Sequence, residues 1–367
     1  MKQNFLEGNE AVAYAAYHAG CRFFAGYPIT PATSILNTML RILPPAGGIV
    51  LQAEDEISAA GYCIGAAAAG MKAMTATSGP GMSLCSEQIS FAVGAEIPMV
   101  IVNVQRLGPS TGSATRGADG DIQSMRWGGN FGGLPIIVLA PTDVADCFVL
   151  TVQAFSLAEQ YRCPVMIASN KEIGMTKEGV DLTSLSAEIA SEVQKLNFCE
   201  SGAESREPLF RKTSSTHGPD GYLTTDPDEI AVMLDQMRYK IESDIEQFSF
   251  YDFSFYKRDA APDADTMILT YGVTARAARA ACKMLHAEGK AVSLLILKTL
   301  WPVPEKLIRE KTANIKRVIV AEMNMGQYVR EIERVLRDKK VEFIGQMNGQ
   351  LIPPNRIKEA FYGQPAQ

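Results

Sequence analysis

Tyr27-Pro28-Ile29-Thr30-Pro31 lies between a short apolar stretch, 22–25, and an apolar-periodic stretch beginning near Thr33. The first reads as a strand and the second as a helix, so these five residues form a βα turn. Two prolines stiffen it, and Thr30 offers a hydroxyl beyond the strand end, where open α/β sheets bind ligands. About one βα unit later, Glu54-Asp55-Glu56-Ile57-Ser58-Ala59-Ala60-Gly61 opens an Ala/Gly-rich helix. Acids in a first turn complement the helix dipole, and Glu54 and Asp55 suit that role better than Glu56 because they come earlier. The helix has almost no side-chain bulk, so a neighbour can pack close to it. A carboxylate buried at such a place is suited to proton exchange.

Working outward, apolar strands are expected at 22–25, 48–52, 73–77, 98–104, 135–139 and 164–168, each separated from the next by a helical or Ala-rich stretch. Strands apolar on both faces at this spacing imply a parallel sheet covered by helices. From about 171 to 262 the chain turns polar, with Gly202, His217-Gly218-Pro219-Asp220-Gly221 and Asp226-Pro227. One helix, 228–247, stands out there, and the segment reads as a surface connector. Alternation resumes near 265. Strands are expected at 267–271, 291–297, 317–322 and 341–344, with helices at 274–288, 304–310 and 327–338. The division expected is a domain over 1–172, a connector with one helix over 173–262, and a smaller α/β domain over 263–367.

Composition narrows the function. The chain has 367 residues, 47% of them hydrophobic, enough for two cores. A net charge of −6 disfavours a nucleic-acid partner. No apolar run reaches the length of a membrane span, and the first residues lack a signal peptide's apolar stretch. Seven cysteines (21, 63, 85, 147, 163, 199, 282) are scattered with no CxxC pair. They read as buried thiols of a cytoplasmic protein, and they argue against an iron–sulfur cluster or structural zinc held by this chain. With only three histidines, at 18, 217 and 286, His-centred triads and His metal sites are poorly supplied, and no metal ligand is expected.

Two more stretches carry chemistry. Thr75-Ala76-Thr77-Ser78-Gly79-Pro80-Gly81 ends a strand in a Gly-Pro-Gly turn. Glycines there let the backbone approach a ligand, although an ordinary βα turn has the same letters. Asn103-Val104-Gln105-Arg106-Leu107-Gly108-Pro109-Ser110-Thr111-Gly112, running on to Thr115-Arg116, delivers Arg106 at a strand's carboxyl end. A guanidinium there either pairs with a neighbouring acid or clamps an anion, since its fork matches a carboxylate. Walker and strand-linked GxGxxG loops are absent.

The YPITP and TSGPG letters, with the Gln-Arg-x-Gly-Pro-Ser-Thr-Gly run, resemble the alpha subunit of 2-oxoacid:ferredoxin oxidoreductases. The resemblance covers nearly the whole chain, least specifically in the connector. It implies a thiamine-diphosphate-binding, pyrimidine-type parallel-sheet domain followed by a transketolase C-terminal-like α/β domain. Matching stretches in the second are Thr299-Leu300-Trp301-Pro302-Val303-Pro304 and Glu322-Met323-Asn324-Met325-Gly326-Gln327, where a packing role is favoured. Through the Glu-x-x-Ala-Ala-Gly spacing, Glu56 matches the glutamate that hydrogen-bonds N1′ of the aminopyrimidine and promotes removal of the thiazolium C2 proton. Glu54 is the alternative. Tyr27, Pro28, Ile29, Ser78 and Gly79 match cofactor-binding positions. Thr30 and Arg106 match substrate-carboxylate contacts, with Ser110, Thr111 and Arg116 as further substrate candidates.

In other thiamine-dependent enzymes a GDG loop followed by an asparagine holds the diphosphate. The nearest match, Ala118-Asp119-Gly120-Asp121 with Asn130, has the wrong spacing. The resemblance places that half, with Mg2+ and a [4Fe-4S] cluster, on a beta subunit. Gamma and delta subunits, ferredoxin and coenzyme A complete the expected partners and co-substrates. The implied reaction is oxidative decarboxylation of a 2-oxoacid, with 2-oxoglutarate favoured by the Gly-Pro-Ser-Thr-Gly run. Gly117-Ala118-Asp119-Gly120 departs from the family's usual letters after Arg116. Branched-chain or aryl 2-oxoacids are therefore the alternative, as is a non-oxidative thiamine-dependent decarboxylase or ligase subunit.

Overall fold

The computed structural model describes residues 4–193, 212–254 and 264–363. Cys199, Gly202 and the expected boundary at 262 lie outside the described residues. In chain order the strands are β1 (Asn4–Glu7), β2 (Phe23–Gly26), β3 (Ile49–Gln52), β4 (Ala73–Thr77), β5 (Met99–Gln105), β6 (Ile137–Leu139) and β7 (Pro164–Asn170), followed by β8 (Lys177–Val180), β9 (Tyr251–Ser254), β10 (Thr266–Tyr271), β11 (Ser293–Leu297), β12 (Thr299–Trp301), β13 (Arg317–Glu322) and β14 (Lys340–Gly345).

The larger sheet runs β12-β6-β7-β5-β4-β2-β3, and the six strands from the first 170 residues are all parallel. Strands β2, β4, β5 and β7 are buried along their whole length, as expected of strands covered on both faces by helices. The smaller sheet runs β14-β13-β10-β11-β9, parallel except for β9 at its edge. Helices Gly8–His18 and Val144–Tyr161 pack together over one face of the larger sheet and bury the core formed by Val12, Phe24, Met39 and Phe148.

Three expectations are corrected. The connector holds more than one helix. Lys171–Gly174 and Leu182–Val193 are helical as well as Pro227–Glu242, which stops short of 247. Strand β8 pairs antiparallel with β1, and β9 pairs antiparallel with β11. Four-residue edge strands carry too little periodicity to be read from sequence. Second, Thr299–Trp301 does not stay with its own block but closes the edge of the larger sheet against β6. Third, the helix expected over 327–338 begins only at Val329, because side chains upstream take its first N–H groups.

Those side chains join the two blocks, so the Glu322–Gln327 stretch does more than pack. The buried Glu322 carboxylate accepts from Tyr271 OH at 2.8 Å, Asn324 Nδ2 at 2.9 Å, Tyr328 N at 2.9 Å and Val329 N at 2.7 Å. Asn324 Nδ2 also donates to the Asp119 carbonyl at 2.9 Å, and Asp119 N donates to the Met323 carbonyl at 2.9 Å. Gln123 N donates to Gln327 Oε1 at 3.0 Å, and Trp301 Nε1 donates to the Ile122 carbonyl at 3.0 Å. The Ala118-Asp119-Gly120-Asp121 run is thus the seam between the two α/β blocks. Hydrogen bonds to a buried carboxylate are among the stronger ones in a protein, each worth about 1.5–3 kcal/mol.

Asp119 itself is buried. Its Oδ1 accepts from Asn170 Nδ2 at 2.7 Å, and its Oδ2 has no hydrogen-bond partner. Burial pushes the carboxyl up to about 7; the Asn170 bond opposes this, and the charges of Glu322 and Asp121 add to it. The folded state therefore binds a proton that the unfolded chain releases near 3.8, so this contribution to stability is lost as pH rises from there through 7. Asp119→Asn keeps an acceptor for Asn170. It should flatten the decline in unfolding free energy between about pH 4 and 7, followed by urea titrations at stepped pH. An unchanged slope would contradict the assignment.

Candidate active site

Of the three acids before the Ala/Gly-rich helix, only Glu56 is buried, at 5% exposure; Glu54 is exposed. Asp55 is the N-cap of helix Glu56–Ala68 and accepts from Ser58 N at 2.7 Å, which satisfies the helix terminus and leaves Glu56 without a capping duty. The Glu56 carboxylate reaches across to the residues after β4, where Gly79-Pro80-Gly81 forms the first turn of helix Gly79–Leu84 and not the separate turn expected from sequence. A Cβ built on Gly81 would collide with Thr77 Oγ1 and with the Glu56 carboxyl, whose Cδ would lie 2.7 Å away. Glycine is required at 81 because two polar side chains occupy the space a side chain would take. No ion pair to Glu56 is found among the described residues.

The other candidates gather at the same strand ends. Ser78 is fully buried, and its Oγ has no partner. Arg106 is 7% exposed and donates from Nη1 to the Thr30 carbonyl at 2.7 Å, while its Nε is buried without a partner. The YPITP turn and the end of β5 are thereby brought together, as expected, but through the Thr30 backbone. Arg106 forms no ion pair among the described residues, which removes the reading as a side chain paired to an acid. Tyr27, Pro28 and Thr30 are exposed and Ile29 is half-buried.

The loop after Arg106 folds back on itself. Leu107 N donates to the Arg116 carbonyl at 2.8 Å, and Ser113 N to the Leu107 carbonyl at 2.8 Å. Ser110 and Thr111 sit exposed at its tip. Arg116 is exposed too, but its stem lies against Gly349 of the smaller block; a Cβ there would approach Arg116 Cβ to 2.7 Å.

Sequence reasoning missed four residues of this region. Asn9 Nδ2 donates to the Pro31 carbonyl at 2.8 Å and to Ser34 Oγ at 2.8 Å, tying helix Gly8–His18 to the YPITP turn. Asn103 Nδ2 donates to Asp121 Oδ2 at 3.0 Å, and Asp121 N donates to Gln105 Oε1 at 2.9 Å. Burial raises the Asp121 carboxyl, against the Asn103 bond and the Arg106 charge. The available signal was polar Asn103 and Gln105 inside an otherwise apolar strand, since fully buried polar residues need partners. Ser78 Oγ, Asn103 Oδ1 and Arg106 Nε are thus buried polar atoms without partners at adjacent strand ends. Such a group fits a ligand that carries both donors and an anion.

Comparisons with known proteins identify the family. Residues 14–242 match the family model for pyruvate flavodoxin/ferredoxin oxidoreductase, thiamine diP-binding, and 264–357 match pyruvate:ferredoxin oxidoreductase core domain II. The chain belongs to the 2-oxoacid:ferredoxin oxidoreductase family. It is 38% identical over 366 residues to the 2-oxoglutarate synthase subunit KorA of Archaeoglobus fulgidus, covering 99% of this chain and 100% of that one. It is 35% identical over 369 residues to the ketoisovalerate oxidoreductase subunit VorB of Methanothermobacter thermautotrophicus, covering 98% and 97%. A 2-oxoglutarate:ferredoxin oxidoreductase from Magnetococcus marinus, solved with 2-oxoglutarate, coenzyme A and succinyl-CoA bound, superposes with a TM-score of 0.86 at 30% identity. This chain is 98% covered in that match and spans 65% of that longer chain.

Within this family's fold the contact at Gly81 makes a sharp prediction. Gly81→Ala should displace the Glu56 carboxyl and destabilise the chain by about 1–3 kcal/mol, the usual range for overpacking. Turnover of the assembled enzyme reads the first effect and thermal unfolding the second. A variant with wild-type stability and turnover would contradict the close approach.

Proposed function

We propose that this chain is the aminopyrimidine-side subunit of a thiamine-diphosphate-dependent 2-oxoacid:ferredoxin oxidoreductase, with 2-oxoglutarate as the preferred substrate. The observation that carries the proposal is the convergence of buried Glu56, unpartnered Ser78 Oγ and unpartnered Arg106 Nε at the carboxyl ends of adjacent strands. When bound, the cofactor supplies a nucleophilic carbon that can hold the decarboxylated acyl unit. Glu56 holds and returns the proton at the aminopyrimidine, in a wall that its burial keeps dry. Arg106 is oriented by the Thr30 carbonyl through Nη1, which leaves Nε to donate to the carboxylate common to all 2-oxoacids. Tyr27, Pro28, Ile29 and Gly79 form the backbone wall beside the cofactor. Ser110, Thr111 and Arg116 are assigned to the far end of the substrate.

The diphosphate, Mg2+ and a [4Fe-4S] cluster are assigned to a beta subunit. Among the described residues, no three His, Cys, Asp or Glu side chains cluster in a way that could hold a metal ion. The six described cysteines are buried free thiols, in keeping with a cytoplasmic setting. No helix of the described residues is long and apolar enough to cross a membrane. Coenzyme A accepts the acyl group and ferredoxin the electrons; gamma and delta subunits would complete the assembly.

A second reading, an enzyme for branched-chain or aryl 2-oxoacids, is favoured by the exposure of Ser110 and Thr111 in this chain and by its likeness to a ketoisovalerate oxidoreductase subunit. The substrate kinetics of the complex decide between them. With its beta partner, the chain should reduce ferredoxin or a viologen dye with a higher kcat/KM for 2-oxoglutarate than for 2-oxoisovalerate or pyruvate. Arg116→Ala should lower that preference about tenfold, which corresponds to about 1.4 kcal/mol. A higher kcat/KM for 2-oxoisovalerate, or an unchanged preference in the variant, would overturn the 2-oxoglutarate assignment. No activity on any 2-oxoacid with an iron-replete partner would overturn the proposed function.

A further inference from the structure

We propose that Asn103 is a ligand-contacting residue of this site and that Asp121 is the positioning residue that fixes its amide. In this assignment Asn103 Oδ1 accepts a hydrogen bond from an N–H donor of the bound ligand, the exocyclic amine of the aminopyrimidine. The inference rests on the cofactor reading above.

Asn103 is the register partner of Thr77 on the neighbouring parallel strand. Register partners point their side chains to the same sheet face. Thr77 Oγ1 crowds Gly81 together with the Glu56 carboxyl, so Asn103 stands on the face that carries Glu56. Asn103 is fully buried and its Oδ1 has no partner. A buried acceptor left empty is costly, and native proteins fill it with a protein group, a water or a ligand.

Which end of the amide faces the site is set by chemistry. An ionised carboxylate only accepts hydrogen bonds, so the amide must turn its NH2 toward Asp121 Oδ2, 3.0 Å away. Its oxygen is then the atom left over. Asp121 has little room to release it. Its backbone N–H is held by Gln105 Oε1 at 2.9 Å, and Gln105 Nε2 is held in turn by the Ser169 carbonyl at 3.2 Å on β7. The carboxylate oxygen that holds Asn103 also lies 3.8 Å from a Cβ built on Gly79. One side chain therefore faces the start of helix Gly79–Leu84 and also holds the amide. Burial raises the Asp121 carboxyl above its ordinary range, and the Asn103 bond and the Arg106 charge oppose that rise.

The test uses the reconstituted complex with Mg2+ and two probes, thiamine diphosphate and its 4′-deamino analogue, which lacks the exocyclic amine. Affinity is read by isothermal titration calorimetry. The wild-type complex should bind the natural cofactor more tightly. Asn103→Leu, close in volume and apolar, should weaken thiamine diphosphate about tenfold and the analogue less than about threefold. Asp121→Asn lets the amide turn over and should shrink the same preference, so it carries the test if Asn103→Leu does not assemble. A merely structural role would weaken both probes equally. Equal losses, or no loss, in variants of a complex that binds thiamine diphosphate would overturn this inference alone. A wild-type complex that binds neither probe would overturn both it and the cofactor reading.

Discussion

Burying a carboxylate among close-packed strand ends requires that something else give way, and here it is the side chain of residue 81. Glu56 and Thr77 fill the space over Gly81 that any other residue would claim. The helix behind Glu56 can lie this close because the buried Ala59 and Ala60 are small, and because Asp55 takes over the capping duty at its terminus. The wholly buried parallel strands β4 and β5 then deliver Ser78 and Arg106 from their carboxyl ends beside it. Sheet, helix and turn are thus mutually required by one crowded contact.

The second constraint is the seam between the α/β blocks. Glu322 gathers four hydrogen bonds, and Asn324 spans from it to the Asp119 carbonyl. This seam runs directly into Asp121, which holds Asn103 and Gln105. The smaller block therefore contributes to the site indirectly, by fixing the loop that fixes the amides. That arrangement gives a physical reason for a domain that carries no candidate catalytic side chain of its own to remain attached to one that does.

Much of this was legible from local letters. The YPITP turn, the acid-led helix and the strand-end arginine all announce themselves within a few residues, because their geometry is local; the Gly-Pro-Gly stretch does too, although it is the first turn of helix Gly79–Leu84 and not a turn before it. The central strands were legible for the same reason, being apolar on both faces. What escaped is long-range. Asn9 meets Pro31, Asn324 meets Asp119 and Trp301 meets Ile122 across tens to hundreds of residues, and no spacing encodes such hydrogen bonds. The crossing of Thr299–Trp301 into the larger sheet escaped because three residues carry no readable period. Read locally, the Ala118-Asp119-Gly120-Asp121 run is only a mis-spaced phosphate loop; its work at the seam depends on a partner segment 205 residues away.

The central claim is that Glu56, and not its exposed neighbour, moves the proton at the cofactor. The most direct measurement is the rate of exchange of the thiazolium C2 proton for deuterium in the assembled complex, followed by quenched-flow NMR. Glu56→Gln should slow exchange by about a hundredfold or more, the loss expected on removing a general acid/base, while Glu54→Gln leaves it near the wild-type rate. Near-wild-type exchange in Glu56→Gln together with slow exchange in Glu54→Gln would contradict the account.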